Sequence, residues 1–361
     1  MKKTNRCYID IHVLQTVPPS CVNRDDTGSP KTAVYGGVTR ARISSQAWKR
    51  AVRLAFREMY EPEQLALRTK KILAEVTDSL LKLDPTPSRE SAEKKAESAL
   101  KKAGLSLNKT KESDVLVFMS KAQIEALASL ALCDEQNKDV YKAALKENPS
   151  VDQVLFGRMV AADPSLNYDA AVQVAHSIST HAVQNEFDYF TAVDDCAPED
   201  NAGAGHIGTT EFNSATLYRY ATVNVYELAK WLGADTVEAV KSFVEAFCTS
   251  MPTGKQNAFA NRTVPDAVYV TLRCNQPVNL AGAFEKPIRA GADGYLEASE
   301  KALAAYSGKT YEMFVPQPAL SFASSHSGAL SHVAELMPFS ALLDRLGEAV
   351  AQRLTNGETE E

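Results

Sequence analysis

The stretch Cys21–Arg57, CVNRDDTGSPKTAVYGGVTRARISSQAWKRAVRLAFR, decides how the rest of this 361-residue chain is read. Arg24, Lys31, Arg40, Arg42, Lys49, Arg50, Arg53 and Arg57 fall inside it, against only Asp25 and Asp26. Asn23–Pro30 is rich in turn formers. Gly36-Gly37 permits positive φ or close backbone approach, and Val38–Ile43 suits a short strand. Ser44-Ser45 then offers an N-cap. Ala47, Trp48, Ala51, Val52, Ala55 and Met59 form one apolar stripe of a helix running to about Tyr60. A helix start bearing Ser44, Ser45 and Gln46, with Lys49 and Arg50 one turn in, is a phosphate-binding arrangement. The same pattern also describes a capped helix whose arginines face water.

The net charge of −6 argues at first against a nucleic-acid partner, but its distribution argues otherwise. Residues 1–57 hold eleven basic and three acidic side chains, net +8, which leaves −14 on the remainder. A polarised chain binds polyanions on one face while its acidic part limits promiscuous binding. No run of eighteen apolar residues offers a membrane span. Met1-Lys2-Lys3 imitates a signal n-region, but Asp10, His12 and Gln15 interrupt the apolar stretch after it, so export is rejected. Six dispersed cysteines without a CxxC suit reduced thiols and a cytoplasmic location.

Outward from this stretch, residues 6–14 alternate as a half-buried strand, with Asp10 and His12 on its open face and Pro18-Pro19-Ser20 ending it. Residues 61–170 read as a mostly helical insertion, with helices at Glu63–Leu83, Arg89–Ala103, Gln123–Leu132 and Lys138–Lys146. Asp169–Thr180 reads as a further helix and Asp188–Asp194 as a strand. Cys196–Phe212, rich in glycine, is a long flexible excursion. The chain returns as a strand at Ala215–Glu227, with Tyr218 and Tyr220 on one face. Such tyrosines stack bases or pack a core, and the sequence leaves both open. A capped helix from Asp235 to Thr249 and a strand at Val268–Arg273 come next, with later helices at Glu297–Tyr306 and Phe339–Leu354. Without the insertions the order is βαββαβ, the ferredoxin-like or RNA-recognition arrangement in an α+β protein. No RNP aromatic signature accompanies it.

No P-loop, GxGxxG, HExxH or nucleophile motif appears, so neither a catalytic set nor a cofactor is expected. The acidic pairs Asp25-Asp26 and Asp194-Asp195 could hold Mg²⁺ beside a phosphate, although adjacent acids are common at turns. No metal is expected.

Several motifs resemble one family, the CasC type of Cas-seven backbone subunit of the type I-E CRISPR Cascade complex. They are NRDD (Asn23–Asp26), YGG with RARISSQAWKRAVR (Tyr35–Arg53), GRM (Gly157–Met159), FTAVDD (Phe190–Asp195), HIGTTEF (His206–Phe212), YRYA with Asn224 (Tyr218–Asn224), GKQN (Gly254–Asn257) and the segment starting near Gly282-Ala283-Phe284. They occur in the same order along nearly the whole chain; the insertion and the last eighty residues match weakly. The resemblance implies a right-hand architecture. Residues 1–60 and 171–361 would form a modified RNA-recognition palm, 61–170 the helical fingers, and 195–214 a flexible, hairpin-like thumb. The implied function is non-catalytic: several copies assemble as a helical filament along CRISPR RNA, beside other Cascade subunits, and present the guide for pairing with target DNA in antiviral defence. By motif match, RNA contacts fall to Asn23, Arg24, Lys31, Arg42, Ser44, Ser45, Gln46, Lys49, Arg50, Met159, Lys255 and Gln256. Nucleotide displacement falls to His206, Ile207, Thr209 and Thr210. Asp25 and Asp26 are expected to brace Arg24 or touch an adjacent subunit. The competing reading is a metal-dependent ribonuclease acting on target RNA through Asp25 or Asp26.

Overall fold

The computed structural model describes residues 6–158, 166–192, 195–196 and 206–358. The first elements are β1 (Tyr8–Ser20), β2 (Thr32–Tyr35), β3 (Val38–Ile43), α1 (Ser45–Met59) and β4 (Ala66–Thr69). Then come α2 (Ile72–Leu83), α3 (Arg89–Lys102), β5 (Val117–Ser120), α4 (Lys121–Leu132), α5 (Lys138–Lys146) and α6 (Val151–Phe156). After them lie β6 (Val172–Val174), β7 (Ser177–Ser179), β8 (Glu186–Ala192), β9 (His206–Asn224), α7 (Val225–Leu232) and α8 (Thr236–Thr249). The last are α9 (Gln256–Phe259), β10 (Ala267–Arg273), α10 (Leu296–Met313), β11 (Leu320–Ser325), β12 (Glu335–Leu336) and α11 (Phe339–Glu358). The fold is mixed α+β around one large sheet. No helix of the described residues is long and apolar enough to cross a membrane.

The chain divides into two compact units. The first comprises residues 1–52, 174–222 and 240–361. Its sheet runs in the order β12-β11-β10-β1-β9-β7-β3-β2, with β8 added to β9. β1 pairs antiparallel with β10 from Tyr8↔Arg273 to Leu14↔Ala267. β7 pairs antiparallel with both β3 and β9, through Arg42↔Ile178 and Ile178↔Tyr218. Trp48 packs with Ala41, Ile43, Ala215 and Leu217 in one core cluster. Tyr218, Tyr220 and Tyr269 pack with Leu280, Phe284 and Leu303 in another. Leu217 and Tyr218 are consecutive, so these clusters lie on opposite sheet faces.

The second unit comprises residues 53–173 and 223–239. Its two-stranded sheet β4–β5 is antiparallel, and α2, α3, α4 and α5 share a core of Leu73, Val76, Leu80, Leu100, Leu127 and Leu145. Ala92, Ala96 and Ala99 are fully covered in α3, where small side chains allow helices to approach closely. Arg53 pairs with Asp152 at 3.1 Å, so this arginine of the basic helix is spent inside the unit. Arg158 is also spent internally. It donates to the carbonyls of Leu166 (3.0 Å) and Leu145 (2.8 Å) and stacks on Tyr168.

Several local expectations are corrected. β1 is not half-buried: Asp10 and His12 are fully covered, because the sheet is packed on both faces. β1 also continues through Pro18-Pro19 to Ser20. Its ladder with β10 stops at Leu14, so the missing N–H groups cost nothing on that side. Residues 169–180 are not helical but contain β6 and β7, since strand pairing of Ile178 overrides a weak helical pattern. β9 ends at Asn224, whose side chain accepts from Glu227 N–H at 3.2 Å and starts α7. The expected helix over 63–83 yields a 3-10 turn, β4 and then α2.

Burial of β1 has an electrostatic consequence. The Tyr220 hydroxyl and the Val278 amide donate to the Asp10 carboxylate at 2.9 and 2.8 Å, yet burial still raises its pKa to about 6. His12 stacks among Tyr218, Tyr220 and Tyr269, and burial, with Arg273 nearby, lowers its pKa to about 3. Below pH ~6.5 the unfolded histidine takes up a proton that the folded one refuses until about pH 3. His12 therefore contributes stability that is complete above pH ~6.5 and falls by about 1.4 kcal/mol per unit below it. Urea unfolding of the parent and His12→Gln at pH 7, 6 and 5 should show their stability difference shifting against the parent at that slope. A difference independent of pH would contradict a neutral buried His12.

Candidate nucleic-acid interface

The interface is built at the start of α1. The Asn23 side chain accepts from Ser44 N–H at 2.9 Å, and its carbonyl accepts from Lys31 N–H at 2.8 Å. One residue thereby ties the polar loop to the helix start. Ser44 is buried and caps the helix, its hydroxyl accepting from Ala47 N–H at 3.3 Å. Ser45 and Lys49 are half-buried, while Gln46 and Arg50 are exposed. Burial lowers the Lys49 pKa, as expected for an ammonium drawn toward the protein without a carboxylate partner. The helix is anchored below by Trp48, whose indole N–H donates to Ser177 Oγ at 2.9 Å. Fully buried Arg219 lies 3.7 Å over the Trp48 ring and 4.6 Å from that of Phe247.

Lys31 and Arg42 extend this face. Arg42 N–H donates to Lys31 O at 2.9 Å, and Arg42 Nε to Thr32 O at 3.0 Å, which fixes the guanidinium. Its Nη1 lies 3.2 Å from Nδ1 of exposed His176. Burial, then Arg42 and Lys31, lower the His176 pKa. His176 was missed in the sequence because its neighbourhood read as a helix. Arg40, by contrast, is fully buried and donates to the carbonyls of Tyr35, Ser179 and Phe284 at 3.1, 2.9 and 2.8 Å. It locks the Gly36 turn rather than facing solvent.

Asp25 does not brace Arg24. Its Oδ1 accepts from Thr27 N–H (2.9 Å), Thr27 Oγ1–H (2.7 Å) and Ser29 N–H (3.0 Å), and the Thr27 hydroxyl bond leads in lowering its pKa. Arg24 and Asp26 are exposed beside it. Among the described residues no cluster of three His, Cys, Asp or Glu could hold a metal ion.

Two further segments join this face. The 254–256 loop lies against the Cys21–Val22 backbone, so closely that a Cβ on Gly254 would stand 2.0 Å from Val22 O. Lys255 Nζ donates to Thr210 Oγ1 at 3.0 Å, and Gln256 is half-buried. Thr210 belongs to the β8–β9 hairpin, paired from Glu186↔Phe212 to Ala192↔His206. Along the hairpin Phe187, Tyr189 and Ile207 are 68%, 63% and 58% exposed, and Thr209 is exposed. Phe190 is packed over Gly208. The His206 side chain and Met159 lie outside the described residues, as do Asp194 and the hairpin tip.

A capped helix start, a cluster of cations, and an apolar hairpin rooted beside them define a surface suited to a single-stranded polyanion with stackable bases. Comparison with known proteins then places the chain. It belongs to the CT1975-like protein family, whose model matches residues 9–348. It is similar to a chain of a solved "CRISPR RNA-guided surveillance complex, pre-nicking", with TM-score 0.81 and 32% identity, covering 95% of this chain and 100% of that one. A chain of a second "CRISPR RNA-guided surveillance complex" is similar at TM-score 0.64 and 30% identity, over 95% and 99% of the two chains. No curated protein sequence matches this chain.

Gly254→Ala tests the tight seat of the 254–256 loop. The added methyl group meets backbone rather than a movable side chain, so the loop must shift or the contact must open. Overpacking of this kind costs about 1–3 kcal/mol. The check is the urea midpoint, with Gly37→Ala as comparison. At Gly37 φ is +77° and a Cβ meets nothing within 4 Å, so only the backbone penalty of about 1 kcal/mol remains.

Proposed function

We propose that this chain is the RNA-binding backbone subunit of a type I-E CRISPR surveillance complex, of the CasC kind, acting in the cytoplasm in antiviral defence. Copies assemble as a filament along the CRISPR RNA beside the other complex subunits, and the held guide pairs with target DNA. The observation that carries this reading is the convergence at one place of the Asn23-pinned helix start, Lys49 with Arg50, Lys31 with Arg42, and the exposed aromatic hairpin. Backbone contacts hold a guide without reading it, as a subunit serving many guides requires. The similarity to surveillance-complex chains over 95% of the sequence supports the same partner.

The palm reading is supported by the sheet. β1, α1, β7, β9, α8 and β10 succeed one another as βαββαβ, and their strands stand in the order β10-β1-β9-β7. That order supports a ferredoxin-like arrangement of the kind found in RNA-recognition domains. In this reading the helical residues 61–170 are the fingers, and the β8–β9 hairpin is the thumb that displaces a guide nucleotide, with Ile207 and Thr209 farther along it and Thr210 nearer its root.

The subunit does no chemistry in this proposal. Asp25, the first half of the alternative nuclease pair, spends one carboxylate oxygen on three hydrogen bonds within its own turn. Lys49→Ala with Arg50→Ala tests the function through its salt dependence. Two lost phosphate contacts should lower the log–log salt slope for single-stranded RNA by about 1.4. An unchanged slope would remove these residues from the interface. In parallel, labelled complementary RNA with Mg²⁺ and the assembled protein should remain intact. Defined cuts that disappear in Asp26→Ala would establish the nuclease instead.

A further inference from the structure

Glu211 is an acid at the root of the hairpin, beside the cations of this surface. Its Oε1 accepts from the Ser29 hydroxyl at 2.8 Å, and its Oε2 accepts from Asn185 Nδ2 at 3.1 Å. Asn185 in turn accepts, on Oδ1, from Asn213 Nδ2 at 3.0 Å. Asn185 and Asn213 flank the first pair of the hairpin, Glu186↔Phe212. Ser29 belongs to the Asp25 turn. All of β8 is exposed, so the side-chain bonds at the root are placed to set the direction of the hairpin.

We propose that Glu211 is the positioning residue that locks the β8–β9 hairpin to the Asn23–Lys31 loop, so that the hairpin meets bound RNA at a fixed place relative to the phosphate contacts. The inference rests on the RNA-binding reading above, but its mechanical half does not need RNA. Chemistry gives the lock a direction. A carboxylate accepts on both oxygens, so it receives Ser29 and Asn185 together and forces Asn185 to turn its carbonyl toward Asn213. Glutamine at 211 loses the charge that strengthens both bonds and keeps one acceptor, so it either opposes its NH2 to that of Asn185 or must reverse the Ser29 bond. Asn185→Asp restores an acceptor there and still accepts from Asn213. Glu211→Gln should therefore unlock the root, and Glu211→Gln with Asn185→Asp should relock it with one bond reversed.

Two measurements on the full chain test this. In RNA-free protein, chymotrypsin should cut at Phe187, Tyr189 or Phe190 several-fold faster in Glu211→Gln, at an unchanged thermal midpoint, and at the parental rate in the paired variant. With a single-stranded RNA oligonucleotide, Glu211→Gln should keep the parental salt slope but blur the nucleotide-resolution protection pattern, which the paired variant sharpens again. An unchanged cleavage rate, or no rescue by the paired variant, overturns the lock. A lower thermal midpoint with unaltered protection marks Glu211 as generally stabilising and overturns the positioning role. If the parent binds no RNA while cleavage obeys the predicted order, the lock stands and the RNA-binding reading falls.

Discussion

The hydrogen bond from Ser44 N–H to the Asn23 side chain is the constraint on which the surface depends. A helix start leaves backbone N–H groups without partners, and Ser44 and Asn23 supply two of the local contacts that define it. Asn23 uses its other end to close the Asn23–Lys31 loop. Loop, helix start and cations therefore hold one arrangement before any ligand arrives. Such preorganisation lowers the ordering entropy lost on binding. The helix is in turn held by Trp48 against Ser177 and by the Arg219 guanidinium between two aromatic rings.

The large sheet is packed on both faces. In an RNA-recognition domain one open sheet face carries aromatics that stack on bases. Here the face carrying Tyr218, Tyr220 and Tyr269 is buried beneath Leu280, Phe284 and Leu303. It remains polar inside: Asp10 and His12 sit among tyrosine hydroxyls, with Arg273 fully buried in the same strand pair. With that face closed, the proposed contact with RNA is left to the Asn23–Lys31 loop, the start of α1, the 254–256 loop and the hairpin. All of them can hold a backbone without reading base identity.

The sequence made the first β–α junction legible because its signals are local. Ser44-Ser45 before an apolar stripe marks a helix start, and α1 begins at Ser45. Lys138–Lys146 and the strand near Val268 were equally local and appear where expected. What the chain could not show locally was burial. Asp10 and His12 alternate with Ile9 and Ile11 as any half-exposed strand would, and only the cover supplied by residues more than 200 positions later buries them. The same holds for the candidate site: Ser44 and Lys49 stand in a local pattern, whereas Glu211, Asn185 and His176 join it through partners 26 to 182 residues away. Arg40 and Arg53 illustrate the converse. Their charges contributed to the basic stretch, but one is consumed by backbone carbonyls and the other by Asp152.

The most direct test of the central claim is the nucleic acid carried by the protein when it is purified with its complex from cells expressing a defined CRISPR array. The expected result is a 260/280 nm absorbance ratio well above that of protein alone, abolished by ribonuclease, and array-derived RNA in the bound fraction. A ratio typical of protein, with no recoverable RNA, would contradict it.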